Sequence, residues 1–119
     1  MGYVFEVEGE TVWSPSLDIG HLFMDIANRL SEDLKQSHGM SLMASDFIDI
    51  DRDAFAAFVR SMLNSSVMTN LTYYVLSRGF LATCLAMLER AGSPVAPQNS
   101  EQQDLVAFGK ALLGHMPTN

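Results

Sequence analysis

The sequence has little of what defines several common classes of protein. Its one cysteine, Cys84, cannot form an internal disulfide, and its three histidines lack the spacing of a zinc site. It contains no phosphate-binding loop, dinucleotide fingerprint or metal motif. The N-terminus, MGYVFEVEGE, is acidic and alternating where a signal peptide has a basic run before an apolar stretch. We therefore expect a cytoplasmic protein that needs no cofactor and no metal ion.

Basic residues are scarce as well. The chain has 7 Lys and Arg against 14 Asp and Glu, a formal net charge of −7, and most of the acids lie in residues 1–53. An acidic half repels phosphate backbones, so nucleic-acid binding is disfavoured, whereas a cationic peptide or basic protein would be attracted. The same acidity also fits a surface that serves only solubility.

At 119 residues the chain is expected to form a single domain, residues 1–119. Alternating residues from Tyr3 to Trp13, with Gly9 at the turn, predict a β-hairpin. Apolar spacing predicts a helix over 17–35, and a loop is expected over 36–46.

Further along the chain, Phe47 to Ile50 is compatible with a short strand. Asp51 is expected to cap a second helix that ends before Asn64, and a glycine stop at Gly92 ends a third helix that begins near residue 70. A capping box at Ser100 and Gln103 begins a fourth helix. The predicted fold class is mainly α, with four helices and a small N-terminal β-hairpin.

The predicted third helix is apolar on every side, and Arg78 is its only charge between Thr72 and Leu88. Its polar interruptions make it a poor membrane span, so no membrane partner is expected. Two sources of cover remain: the other elements of the same chain, or a second copy. We favour a homodimer. Arg78 would then be paired with an acid of the N-terminal half or would face a substrate groove.

The sequence offers few candidates for catalysis. His21, Asp25, Arg29 and Asp33 follow one another four residues apart on the first helix, which predicts a ladder of weak pairs with His21 oriented by Asp25. His38 lies in the predicted loop, and His115 lies in the C-terminal tail and is expected to be inert. Cys84 on its apolar helix is expected to be a small buried hydrophobe. No residue is predicted to be catalytic.

Three stretches resemble a known family: VFEVEGETVWSPSLDIGHLFMDIANRLSEDL, DFIDIDRDAFAAFVRSML and YVLSRGFLATCLAMLERAG. They are similar to the small proteins that install the lysinoalanine bridge in cinnamycin- and duramycin-type lantibiotics. The resemblance implies a helical homodimer that binds a modified lanthipeptide precursor. It also implies addition of a substrate lysine amine to dehydroalanine, with a substrate carboxylate, a hydroxylated aspartate, as the base.

The chemistry of individual residues suggests which of them would contact such a peptide. Acids would attract its positive charge, arginines would hold its carboxylates, and aromatic rings would pack on its apolar rings. The candidate substrate-binding residues are Trp13, Asp18, His21, Phe23, Asp25, Arg29, Glu32, His38, Tyr73, Tyr74 and Arg78.

A rival hypothesis is a non-enzymatic binding protein, such as an immunity protein that blocks a basic toxin with its acidic half. It shares the charge asymmetry but needs no cleft that encloses a peptide ring.

Overall fold

The computed structural model describes residues 2–119. Within them a four-stranded sheet packs one face against helices, with 3-10 helix Leu113–His115 near the end. The elements are β1 (Val4–Val7), β2 (Glu10–Trp13), α1 (Leu17–Leu34), β3 (Met40–Ala44), β4 (Phe47–Ile50), α2 (Arg52–Leu63), α3 (Ser66–Thr69), α4 (Leu71–Arg90) and α5 (Ser100–Leu112).

The predicted fold class is therefore wrong in its β content. The sheet has the order β2-β1-β4-β3, so the N-terminal hairpin is half of a mixed sheet and not a small appendage. β1 pairs in parallel with β4, and β3 pairs antiparallel with β4. The expected loop over 36–46 contains β3, and the short helix α3 was not predicted. The protein has a mixed α/β fold.

Most individual elements agree with the sequence pattern. The β1–β2 hairpin is confirmed, and its two-residue turn has positive φ at Glu8 (51°) and Gly9 (81°), as a type I′ turn requires. The helix predicted over 17–35 is α1, and the Asp51 side chain caps α2 by accepting from the Ala54 N–H. The cap of α5 is Asn99 and not Ser100, so the predicted capping box is wrong: Asn99 Oδ1 accepts from the Gln102 N–H, and Gln102 Oε1 accepts from the Gln98 N–H.

Aromatic side chains join the sheet to the helices. Phe5 of β1 stacks on Trp13 of β2 at 5.4 Å between ring centroids, and both rings meet Phe23 of α1 edge-on at 5.3 Å. Phe23 in turn lies 4.8 Å from Phe80 of α4. All four rings are buried. This aromatic cluster joins α1 and α4 to the same sheet.

The apolar helix α4 is covered over only part of its length. Its C-terminal half is largely buried, and α5 is the element that α4 contacts most. In its N-terminal half, Leu71, Val75 and Leu76 are more than three-fifths exposed. By length and composition α4 could also cross a membrane, although half of its most apolar window is buried inside the fold, as in the core helix of a globular protein.

The close packing of α1 on Tyr3, the residue before β1, generates a stability prediction at Gly20. A Cβ added there would lie 2.3 Å from the Tyr3 ring, which is itself buried. We expect Gly20→Ala to lower the free energy of unfolding by about 1–3 kcal/mol through overpacking. Gly114→Ala is the control, because its added Cβ meets nothing within 4 Å. Urea unfolding measures both, and an unchanged G20A variant would contradict this packing.

Candidate binding site

Helix α1 forms a ridge between two clefts. The first, which we call the sheet cleft, lies between α1 and the β1–β4–β3 side of the sheet and has a volume of about 420 Å³. It is lined by Tyr3, His21, Met24, Asp25, Asn28, Met40, Leu42 and Ile48. The second, which we call the α1–α4 groove, runs along the other flank of α1. Asp25 borders both.

The sheet cleft combines an apolar wall with a polar rim. Strand residues supply the wall, and the rim comes from one flank of α1, where residues three, four or seven apart share a face. The His21 ring meets the Tyr3 ring edge-on at 5.2 Å. Asp25 is the only acidic side chain in the lining that residues 2–119 provide, and this lining contains no lysine or arginine. The cleft thus offers a negative charge beside apolar surface, an arrangement suited to a cationic ligand with an apolar stem.

His38 supports one end of this cleft. Its Nδ1 accepts a hydrogen bond of 3.0 Å from the Met40 N–H, and its Nε2 lies 2.7 Å from Oδ1 of Asn28. Because the backbone N–H only donates, the neutral ring carries its proton on Nε2 and donates to Asn28. Burial lowers the pKa of His38 from its ordinary value of 6.5. His38 therefore joins the start of β3 to α1 as a neutral side chain.

The α1–α4 groove is mainly apolar. Trp13 and Phe23 line its floor, and Leu22 of α1 and Leu76 of α4 stand on its edges with 60% and 79% of their surface exposed. The full lining is Trp13, Ile19, Leu22, Phe23, Asp25, Ile26, Arg29, Leu30, Asp33, Tyr73, Leu76, Ser77, Gly79, Phe80, Thr83, Phe108 and Leu112. Such a long apolar surface on one side of a small protein is typical of a protein interface.

One end of the groove is polar. Arg29 pairs with Asp33 at 3.3 Å, and the Tyr73 hydroxyl donates to Asp33 at 2.9 Å. Partial burial, followed by the bond to Asp33 and its charge, raises the pKa of Tyr73. Of the three rungs predicted for the α1 ladder, Arg29–Asp33 alone occurs among the ion pairs of residues 2–119. His21 is oriented by Tyr3 and not by an ion pair with Asp25.

Arg78 does not have the acidic partner that was one of the two environments expected from the sequence. Its side chain lies on the exposed side of α4, and its guanidinium carbon is 5.1 Å from the centroid of the Phe108 ring. The buried salt bridge is therefore wrong. Since Phe108 lines the groove, Arg78 stands at the groove's margin and stacks on one of its walls.

The described side chains bring no nucleophile together with a base. Cys84 is fully buried, as predicted, and burial raises the pKa of its thiol well above the ordinary range, so the thiolate is not available near neutral pH. Both ring nitrogens of His38 are engaged in hydrogen bonds. Within residues 2–119 no group of three or more His, Cys, Asp or Glu residues could hold a metal ion.

The candidate residues from the sequence divide between these surfaces. His21 and Asp25 line the sheet cleft, and His38 supports it through Asn28. The groove contains Trp13, Phe23, Asp25, Arg29 and Tyr73. Four others lie outside both linings: Asp18 and Glu32 are exposed on α1, Tyr74 packs half-buried against the core, and Arg78 stands at the groove's margin.

Sequence reasoning missed the β3 side of the cleft, which includes Met40 and Leu42, and it missed Asn28 of α1. Asn28 lies seven residues after His21 and three after Asp25, so helical spacing alone places all three on one flank. The strand residues give no comparable signal, because MSLMA contains no β-branched residue.

The environment of His38 predicts a pH dependence of stability. The unfolded chain takes up a proton on His38 near pH 6.5, whereas the folded protein does so only at lower pH. The free energy of unfolding should therefore fall as the pH drops from about 7.5 to about 5.5, and this fall should be smaller in His38→Asn. His115→Asn, in the exposed tail, is the control. Urea unfolding across this range measures the effect, and equal slopes for wild type and H38N would contradict it.

The comparisons with known proteins identify a family without indicating an activity. No curated protein matches the chain, and no solved structure matches it. A family model described as a family of unknown function, DUF6086, matches residues 1–118. The match spans almost the whole chain, and the protein therefore belongs to the DUF6086 family.

Proposed function

We propose that this protein is a cytoplasmic homodimer that binds a modified, cationic lanthipeptide precursor and promotes its lysinoalanine cross-link. The binding site is the sheet cleft, and the reaction adds a substrate lysine amine to a dehydroalanine. The proposal joins the resemblance of three sequence stretches to one structural observation: an acidic rim above an apolar wall, in a cleft of about 420 Å³.

The chemistry asks mainly for positioning. The amine nitrogen bonds to the terminal carbon of the alkene, the alkene electron pair moves toward the adjacent carbonyl, and the proton lost by the amine returns to the α-carbon. The product is an isomer of the substrate. An amine with an ordinary pKa near 10.4 must first lose a proton, and its nitrogen must approach the alkene to about 3–3.5 Å.

The protein's own side chains fit this positioning role. Asp25 would attract and orient the lysine side chain, while Leu42 and Met40 would pack against its methylene groups and the neighbouring rings. The base would be a carboxylate of the substrate. This assignment agrees with the state of Cys84 and His38, neither of which is free to take up the amine's proton.

The α1–α4 groove is proposed as the dimer interface. A second copy related by a two-fold axis would cover both grooves at once and would bury the exposed leucines of α1 and α4. Obligate dimer interfaces resemble a core cut in half, and the aromatic floor with its aliphatic edges has this composition. The sheet cleft lies on the opposite flank of α1 and stays open in such a dimer.

The enzymatic proposal is tested with a dehydroalanine-containing precursor that also contains the reacting lysine. We expect a product of unchanged mass that no longer adds a thiol. Asp25→Asn should raise KM by about threefold to tenfold, because it removes the charge that attracts the peptide, and should leave kcat nearly unchanged. Asp18→Asn is the matched control, an exposed acid on the same helix outside both clefts.

Loss of the alkene at the rate of the protein-free peptide would contradict the enzymatic proposal. Tight binding without turnover would then favour the immunity-type binding protein. A collapse of kcat in His21→Gln, with peptide affinity retained, would show instead that a protein side chain takes the proton.

The dimer is tested by placing a charge in the groove. Leu76→Glu should weaken the dimer by at least about tenfold, because a carboxylate would be buried at an apolar interface. Leu42→Glu is the control, since Leu42 is similarly exposed, at 61%, but lies in the sheet cleft. Sedimentation equilibrium measures both variants. A monomeric wild-type protein at micromolar concentration would refute the interface.

A further inference from the structure

The two edge strands of the sheet differ in how far the rest of the chain covers their backbone groups. The β2 edge is covered by the rest of the chain: the Arg90 guanidinium donates to the Val12 carbonyl at 2.9 Å, and the Ser14 N–H donates to the Pro117 carbonyl at 2.6 Å. At the β3 edge, the bond from the Met40 N–H to His38 is the only such cover that residues 2–119 provide. Edges left open in this way are templates for another strand.

The strand register determines which backbone N–H and C=O groups of β3 point away from β4. The Asp51 N–H donates to the Gly39 carbonyl at 2.8 Å, so these two residues form a hydrogen-bonded pair. Antiparallel pairs alternate, and Leu42, opposite Ile48, therefore belongs to a non-bonded pair. The N–H and C=O of Leu42 point away from β4, toward the open side. The carbonyl of Met40 points the same way.

The side chains of β3 are not of the kind that usually prevents an edge strand from pairing with another strand. β3 contains neither lysine nor proline, and Leu42 and Met43 are both about three-fifths exposed. The Leu42 side chain lines the sheet cleft. A strand added to β3 would run beside the cleft, and alternate side chains of that strand would face the flank of α1 that carries Asp25 and Asn28.

The charge at this edge favours one kind of occupant. Residues 40–50, which form β3, β4 and their turn, contain Asp46 and Asp49 and no lysine or arginine. The facing flank of α1 contributes Asp25 to the cleft. A strand rich in glutamate would be repelled by these three acids, whereas a strand with lysine at alternate positions would present those charges on the face toward α1, beside Asp25.

We infer that the open edge of β3 binds an extended, lysine-containing peptide segment by strand addition, with one lysine side chain directed into the sheet cleft toward Asp25. This inference rests on the proposed function, since it describes how the same site would hold its peptide. Backbone hydrogen bonds at Leu42 would supply affinity without regard to sequence, and the acids would supply the preference for lysine.

The test uses unmodified probe peptides, which carry no alkene, so its result is independent of the turnover assay. A fluorescein-labelled peptide of alternating lysine and valine should bind in fluorescence anisotropy. Two probes of matched length should bind at least about tenfold more weakly: glutamate–valine, which reverses the charge, and a lysine–valine peptide methylated at every backbone nitrogen, which keeps the charge but lacks strand donors.

The matched protein variants are Leu42→Pro and Leu42→Ala. Both lose the leucine side chain, but only L42P also loses the outward N–H, a position where an edge strand accepts proline. We expect L42P to bind the lysine–valine peptide at least about tenfold more weakly than L42A. A second measurement does not depend on whether L42P folds. In the wild-type protein, the bound peptide should slow hydrogen exchange at the Leu42 amide.

Equal affinity for the lysine–valine peptide and its backbone-methylated form would overturn the inference, because attraction would then come from charge alone. So would unchanged exchange at Leu42 in the saturated complex. A change in the sedimentation of the free protein on L42P substitution, absent from L42A, would assign the edge to a second copy and would also overturn it.

Discussion

The packing of helix α1 across one face of the sheet is the constraint on which the rest of the structure depends. Phe23 of α1 meets Phe5 and Trp13 of the sheet and Phe80 of α4, so one side chain links three elements. Buried aromatic rings contribute large apolar areas and prefer defined geometries, which fixes the position of α1 more firmly than aliphatic contacts would. The position of α1 also determines both clefts, because each cleft lies along one flank of this helix.

The two flanks of α1 differ in chemistry because the buried apolar stripe of this helix is narrow. The buried stripe of α1 contains Phe23, Ala27 and Leu30, and the residues beside it fall either toward the sheet edge or toward α4. On the α4 side they are apolar and remain exposed, as at Leu22. On the sheet side they are polar, as at His21 and Asn28. One flank therefore suits a large apolar partner, and the other suits a small polar or charged group.

The elements that could be predicted from the sequence are those with strong local signals. The alternation around Gly9, the apolar stripe of α1 and the stop at Gly92 each identify an element, and all three are present. β3 could not be found in this way, because MSLMA lacks β-branched residues and is a strand only through its pairing with β4. The side of the cleft that β3 contributes could therefore not be predicted either.

The exposure of Arg78 could not be predicted from the sequence for a similar reason: it depends on which elements pack against α4. A charge in an apolar helix indicates either a buried partner or an uncovered side, and sequence cannot distinguish them without knowing which neighbours cover the helix. In the fold, residues 71–76 of α4 are exposed or half-buried, and Arg78 lies two residues further on, on the exposed side of the helix. Its stacking on Phe108 uses the flat face of the guanidinium and leaves its N–H donors free for other groups. A dimer formed through the groove would place these donors at the rim of the interface, where charges influence which surface pairs with which more than they influence how tightly it pairs.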